Sequence, residues 1–105
     1  MDVSQRIKET VDSNRVMLFM KGNRDFPQCG FSGRAIQILQ ALGAEFETAD
    51  VLMDDEIRQG IKAFSNWPTI EQLYINGEFV GGSDIMMEMY ENGELKKALS
   101  QTPAA

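Results

Sequence analysis

A chain of 105 residues, 43% hydrophobic and 25% charged, has the length and composition of one globular domain, with a real core but no room for two. Its net charge of -6 argues against nucleic acid or an anionic membrane as partner, since both bind clustered lysine and arginine, and no apolar run approaches a membrane span. Histidine is absent and cysteine occurs once, which excludes Cys–His catalysis, histidine metal sites and an internal disulfide.

Val3, Ile7 and Val11 recur every four residues and predict an amphipathic helix from about residue 2 to 14, broken at Asn14-Arg15. Val16-Met17-Leu18-Phe19-Met20 is apolar throughout, as a strand covered on both faces should be. A polar loop runs from Lys21 to Gln28. Ala35, Ile36, Ile38, Leu39 and Leu42 then mark a helix over about residues 30–42, stopped by Gly43. Glu45 to Val51, with Phe46 and Thr48, reads as a second strand. Asp54-Asp55-Glu56 places acids at the start of a third helix, where the dipole favours them. Ile57, Ile61 and Phe64 make its apolar face, with Gly60 out of place among them.

After the break at Ser65-Asn66-Trp67-Pro68-Thr69, Leu73-Tyr74-Ile75 and Phe79-Val80 flank Asn76-Gly77, the favoured two-residue hairpin turn. Gly81-Gly82 leads to a further helix, with Ser83 or Asp84 as expected cap. Met86, Met87, Met89 and Tyr90 continue its pattern, and the methionines read as core rather than a soft binding surface. Gly93 interrupts, Leu95 and Leu99 predict a short closing helix, and Thr102 to Ala105 should fray. The order implies an α/β fold: a parallel strand–helix–strand unit joined by a hairpin, giving one mixed four-stranded sheet with helices on both faces.

Cys29 falls where the loop after the first strand enters a helix. The first N–H groups of a helix are unpaired and its dipole favours negative charge, so this place suits a thiolate, the nucleophilic and metal-binding form. Lys21 can add positive charge nearby. The alternative is a small buried cysteine packed as an apolar side chain. A lone cysteine also fits a reducing compartment.

Lys21-Gly22, Cys29-Gly30-Phe31-Ser32, Asn66-Trp67-Pro68-Thr69, Gln72-Leu73-Tyr74, Gly81-Gly82-Ser83-Asp84 and Glu88-Met89 occur in this order over most of the chain. Together they closely resemble the monothiol glutaredoxins of the CGFS type. Taken singly, Lys21 and Arg58 would be solvated charges, Asp84 a cap, Gly81-Gly82 a turn and Trp67 a packing residue; the joint pattern carries the resemblance. It implies a thioredoxin fold, glutathione binding and a [2Fe–2S] cluster held by two subunits and two glutathione molecules. The count is consistent, since such a cluster takes four thiolates and each chain has one.

By the same resemblance, Cys29 is the catalytic and cluster-ligating residue. Lys21 and Arg58 would hold the glycine carboxylate of glutathione. The Ile70 backbone would pair with its cysteinyl unit, Thr69 would line the groove, and Ser83 and Asp84 would take the γ-glutamyl end. Implied partners are a second copy when cluster is bound, BolA-like proteins and iron–sulfur recipient proteins. Met1-Asp2-Val3-Ser4-Gln5 lacks the pattern of a secretory signal, so a cytoplasmic or organelle-matrix setting is expected. Two other functions compete: glutathione-dependent thiol–disulfide exchange through Cys29, expected to be slow because Ser32 replaces the second cysteine of dithiol enzymes, and a thioredoxin-fold module impaired at its site.

One departure stands out. The family motif has a second proline, the cis-proline facing the active cysteine, where this chain has Glu71; its prolines are 27, 68 and 103. A cis bond before a non-proline residue costs about 3–4 kcal/mol, so the Ile70–Glu71 bond should be trans with the local backbone shifted. A carboxylate close to Cys29 would disfavour the thiolate and could offer oxygen to a metal, and weaker glutathione and cluster binding is expected.

Overall fold

The computed structural model describes residues 2–101. The expected fraying of Thr102 to Ala105 falls outside them. Five α-helices and four strands follow the predicted order: α1 (Val3–Ser13), β1 (Val16–Met20), α2 (Gly30–Ala41), β2 (Glu47–Asp50), α3 (Asp55–Ser65), β3 (Gln72–Ile75), β4 (Glu78–Gly81), α4 (Ser83–Asn92) and α5 (Glu94–Ser100). The strands form one mixed sheet in the order β2-β1-β3-β4. β1 and β2 are parallel across the α2 crossover, while β3 runs antiparallel to both β1 and β4. Asn76 and Gly77 turn the hairpin with φ of 53° and 82°, the left-handed pair that a tight two-residue turn requires.

All five residues of β1 are buried, and they divide by alternation. Val16, Leu18 and Met20 pack with Leu73 and Ile75 against α2, α4 and α5, whose Ala35, Leu39, Met86 and Leu95 are fully covered. Met17 and Phe19 pack with Tyr74 against Ile7 and Val11 of α1 and Ile61 of α3. Full burial of one such side chain contributes about 1.5–3 kcal/mol, so both faces need their helices. Among the described residues no helix is long and apolar enough to cross a membrane.

Three local expectations change. The second strand is shorter than Glu45–Val51: Phe46 precedes it, and Val51–Met53 is a 3₁₀ turn whose Leu52 N–H donates to Asp50 Oδ1. Neither Ser83 nor Asp84 caps α4; Gly82 is the cap residue, and both fall inside the first turn. Gly60 is not out of place, because a Cβ there would lie 3.0 Å from Val3 and 3.3 Å from Ile7. Its missing side chain lets α1 and α3 approach.

Asp54 caps α3 by accepting from the Ile57 N–H at 3.2 Å and also takes the Arg6 guanidinium of α1 at 2.6 Å. The Arg6 hydrogen bond, followed by the Ile57 N–H, holds the Asp54 carboxyl below its ordinary value of 3.8. A depressed folded-state value stabilises above the unfolded value and loses that contribution as pH falls through the folded one. Asp54→Asn, which keeps the capping oxygen, should therefore be less stable than wild type near neutral pH, with the gap closing as pH falls through the lowered value of the Asp54 carboxyl. Urea denaturation across this range checks it; a gap independent of pH would remove the Arg6–Asp54 charge pair as its cause.

Candidate functional site

The loop that delivers Cys29 is tied at both ends. The Gly22 N–H donates to Asp50 Oδ1 at 2.9 Å, and the Gln28 N–H donates to the Lys21 carbonyl at 2.9 Å. In between, Asn23 Oδ1 accepts from the N–H groups of Asp25 and Phe26, and the Arg24 guanidinium lies 4.3 Å from the Phe46 ring centroid. This folding-back places Lys21 opposite Gln28, the neighbour of Cys29. Cys29 is the N-cap residue of α2, extended at φ -151°, and its carbonyl accepts from Gly33 at 2.9 Å. Its side chain makes no capping bond, and the residue is half-buried and lines a shallow surface together with Gly30 and Arg34.

Beside it lies a hollow of about 150 Å³. Phe31 and Trp67 form aromatic walls, and Thr69, Glu71, Ser83 and Asp84 supply the polar groups. The two surfaces adjoin through consecutive residues, Gly30 on one and Phe31 on the other. A Cβ on Gly82 would meet Glu71 O at 3.0 Å and Thr69 Oγ1 and Trp67 Nε1 at 3.3 Å each, so only glycine lets the α4 start pack on the 67–71 segment. Gln72, fully buried, holds that segment: its Nε2 donates to Thr69 O at 2.9 Å and its Oε1 accepts from the Tyr74 hydroxyl.

Of the residues expected to act together, Thr69, Ser83 and Asp84 share the hollow. Asp84 is exposed on the first turn of α4, where free N–H groups also favour an anion. The Ile70 side chain turns into the α1/α3 core and is 4% exposed, so only its backbone faces the site segment. Lys21 and Arg58, both half-buried, line neither surface. Among the described residues neither side chain has a hydrogen-bond or ion-pair partner, and no group of three Cys, Asp or Glu could hold a metal ion.

Glu71 takes a course the sequence did not disclose. No cis peptide bond occurs among the described residues, so Ile70–Glu71 is trans as expected. Glu71 as a residue is 5% exposed, and its Oε1 accepts from the Ser32 hydroxyl at 2.8 Å. Ser32, fully buried on the first turn of α2, in turn accepts from the Lys21 N–H at 3.0 Å. One hydroxyl thus joins the end of β1, the start of the cysteine helix and the entry to β3. In the sequence Ser32 is part of the motif and Glu71 the one departure from it; their pairing across 39 positions had no local signal.

The glutaredoxin family model matches residues 16–80. A Synechocystis protein named uncharacterized monothiol glutaredoxin ycf64-like is 62% identical over 93% of this chain and 92% of its own length. This chain belongs to the glutaredoxin family. Relatives differ in size: the rice protein monothiol glutaredoxin-S11 is 54% identical over 92% of this chain but over only 20% of its own length. Reduced poplar apo GrxS14 superposes with a TM-score of 0.80 at 48% identity, covering 94% of each chain. A buckwheat glutaredoxin solved as its glutathione complex superposes with a TM-score of 0.83 at 26% identity, over 93% of this chain and 87% of that one. The fold of this glutaredoxin is accordingly the thioredoxin fold, and the names of its relatives place it with the monothiol members.

Ser32→Ala would strand a buried carboxylate and a backbone N–H, and should lower stability by about 1–3 kcal/mol. In a Glu71→Pro background the same substitution should cost less, because no carboxylate is left without its donor. Equal losses in the two backgrounds, read from denaturant unfolding, would show that the Ser32–Glu71 bond contributes nothing.

Proposed function

We propose that this chain is a single glutaredoxin domain that binds glutathione beside Cys29 and, as a homodimer, carries a [2Fe–2S] cluster for iron–sulfur assembly and redox homeostasis. The observation that carries the reading is a half-exposed, uncapped Cys29 at a helix N-terminus, adjoining a hollow lined by Thr69, Ser83 and Asp84. Asp84 suits the ammonium of the γ-glutamyl end, and the α4 N-terminus suits its carboxylate. Lys21 and Arg58, unpaired among the described residues, are free to meet the glycine carboxylate. The Ile70 backbone is assigned to the cysteinyl unit, and Thr69 to the groove wall.

The donor set fits a shared cluster and no enclosed one. One thiolate per chain cannot hold a cluster alone, and no neighbouring group of three ligands completes the set among the described residues. Two copies of Cys29 and two glutathione thiolates would supply four. The cluster contributes iron–sulfur cargo and redox capacity when bound; the protein contributes an accessible sulfur and a binding surface for the second ligand source. BolA-like proteins and iron–sulfur recipients, in a cytoplasmic or organelle-matrix setting, are the partners this role would have.

A second reading has its own support. Cys29 is the single cysteine of the chain, so it has no neighbouring thiol with which to close an internal disulfide, and the Ser32 hydroxyl one turn along is engaged by Lys21 and Glu71. In glutathione-dependent exchange, the Cys29 thiolate would attack a protein–glutathione disulfide, form a Cys29–glutathione disulfide and release the protein thiolate. A second glutathione would then free Cys29. Turnover with a glutathione mixed disulfide supports this activity.

Anaerobic reconstitution with iron, sulfide and glutathione decides the principal reading. The wild type should turn brown with visible absorption, and Cys29→Ser should stay colourless. A colourless wild type would remove the cluster role. Glutathione titration into wild type and Glu71→Pro should give tighter binding in the proline variant; equal affinities would clear Glu71 of weakening the site.

A further inference from the structure

We infer that Glu71 is a specificity-determining residue that makes the site favour a thiol or disulfide carrying an ammonium group close to its sulfur. The inference rests on the reading of Cys29 as the nucleophile of this site. The hollow beside Cys29 is lined by two acidic residues, Glu71 and Asp84, and by neither lysine nor arginine. Glu71 is 5% exposed, is held by a neutral hydroxyl and has no cation partner among the described residues. Burying a charge is costly unless an opposite charge accompanies it. The missing member of the arrangement is a cation, and a ligand in the hollow would supply it. The walls agree: Phe31, 56% exposed, and Trp67 both line the hollow, and aromatic faces attract an ammonium.

Asp84 and Glu71 act on different parts of a ligand. Asp84 lies at the α4 start, at the end assigned to the γ-glutamyl group. Glu71 lies under the first turn of α2, three residues along from Cys29 at Ser32, so it acts on the part of the ligand next to the reacting sulfur. The resembling family fills this position with an uncharged proline, so the preference belongs to this chain.

The reaction of reduced protein with two small symmetric disulfides tests this. One is cystamine, which carries an ammonium two carbons from each sulfur; the other is hydroxyethyl disulfide, which is neutral. In each case the Cys29 thiolate forms a new disulfide with one half of the reagent, and the other half leaves as a thiolate that takes a proton from solvent. The readout is the ratio of the two second-order rates. Leaving-group acidity differs between reagents but not between proteins, and any change in the reactivity of Cys29 itself affects both reagents alike. Comparing ratios between variants therefore isolates the charge of Glu71.

Glu71→Gln keeps an oxygen to accept from Ser32 and removes the charge. Its cystamine preference should fall about fivefold below that of wild type, the size of one charge pair in a largely solvent-screened setting. Glu91→Gln, at an exposed α4 position outside the hollow, changes net charge equally and should keep the wild-type ratio. An unchanged ratio in Glu71→Gln, or an equal fall in Glu91→Gln, would overturn this inference alone. Failure of wild-type Cys29 to react with either disulfide would overturn both it and the nucleophile reading.

Discussion

Val16, Leu18 and Met20 of β1 face one set of helices while Met17 and Phe19 face the other, and none of the five reaches solvent. A strand with two apolar faces is stable only when both are covered. This constraint explains why the chain needs α1 and α3 on one side and α2, α4 and α5 on the other. It also places β1 second in the sheet, between a parallel and an antiparallel neighbour. Everything at the candidate site hangs from the end of this strand. Lys21 is its next residue, and the loop it starts must return across that end to begin α2.

The return is made rigid by polar contacts rather than by apolar burial. Phe26 is 71% exposed and Phe31 56%, so the loop and the helix start do not gain their order from the core. The order comes from Asp50 at the end of β2, from the Lys21–Gln28 backbone bond, and from Ser32 beneath the first turn. A thiol held in this way is positioned while its own side chain stays unengaged. The hollow is built by the same means: buried Gln72 fixes Thr69, and Gly82 allows the α4 start to close against it.

Periodicity and turn chemistry made most of the fold legible. The four-residue recurrence in α1, the unbroken apolar run of β1 and the Asn76-Gly77 turn each have a local cause, and each was where the sequence placed it. Errors arose where a tertiary contact decided the outcome. The strand around Phe46 shortened because Asp50 turned inward to cap a 3₁₀ turn and hold Gly22. Gly60 looked like a weak point in a helix until the opposing side chains of α1 were in place. Of the candidate site, Cys29 and the Thr69–Ser83–Asp84 group could be read from motifs. The inward path of Glu71 could not, since nothing near position 71 announces a donor at position 32.

Ser32 belongs to the motif and Glu71 departs from it, and the two side chains act as one unit. A proline at position 71 would present an apolar ring and ask for no hydrogen bond. A glutamate there brings a charge into a covered place and must find a donor. Ser32 can serve because a hydroxyl both donates and accepts, so it answers the Lys21 N–H and the carboxylate at once. A cysteine at position 32 would be a poor substitute: a thiol is a weak donor and acceptor, and its ionised form would face the carboxylate with like charge. The buried acid is therefore compatible with a site of one thiol and antagonistic to a site of two. On this argument the serine does more than fill the place of a resolving cysteine; it is the residue that allows position 71 to carry a charge at all.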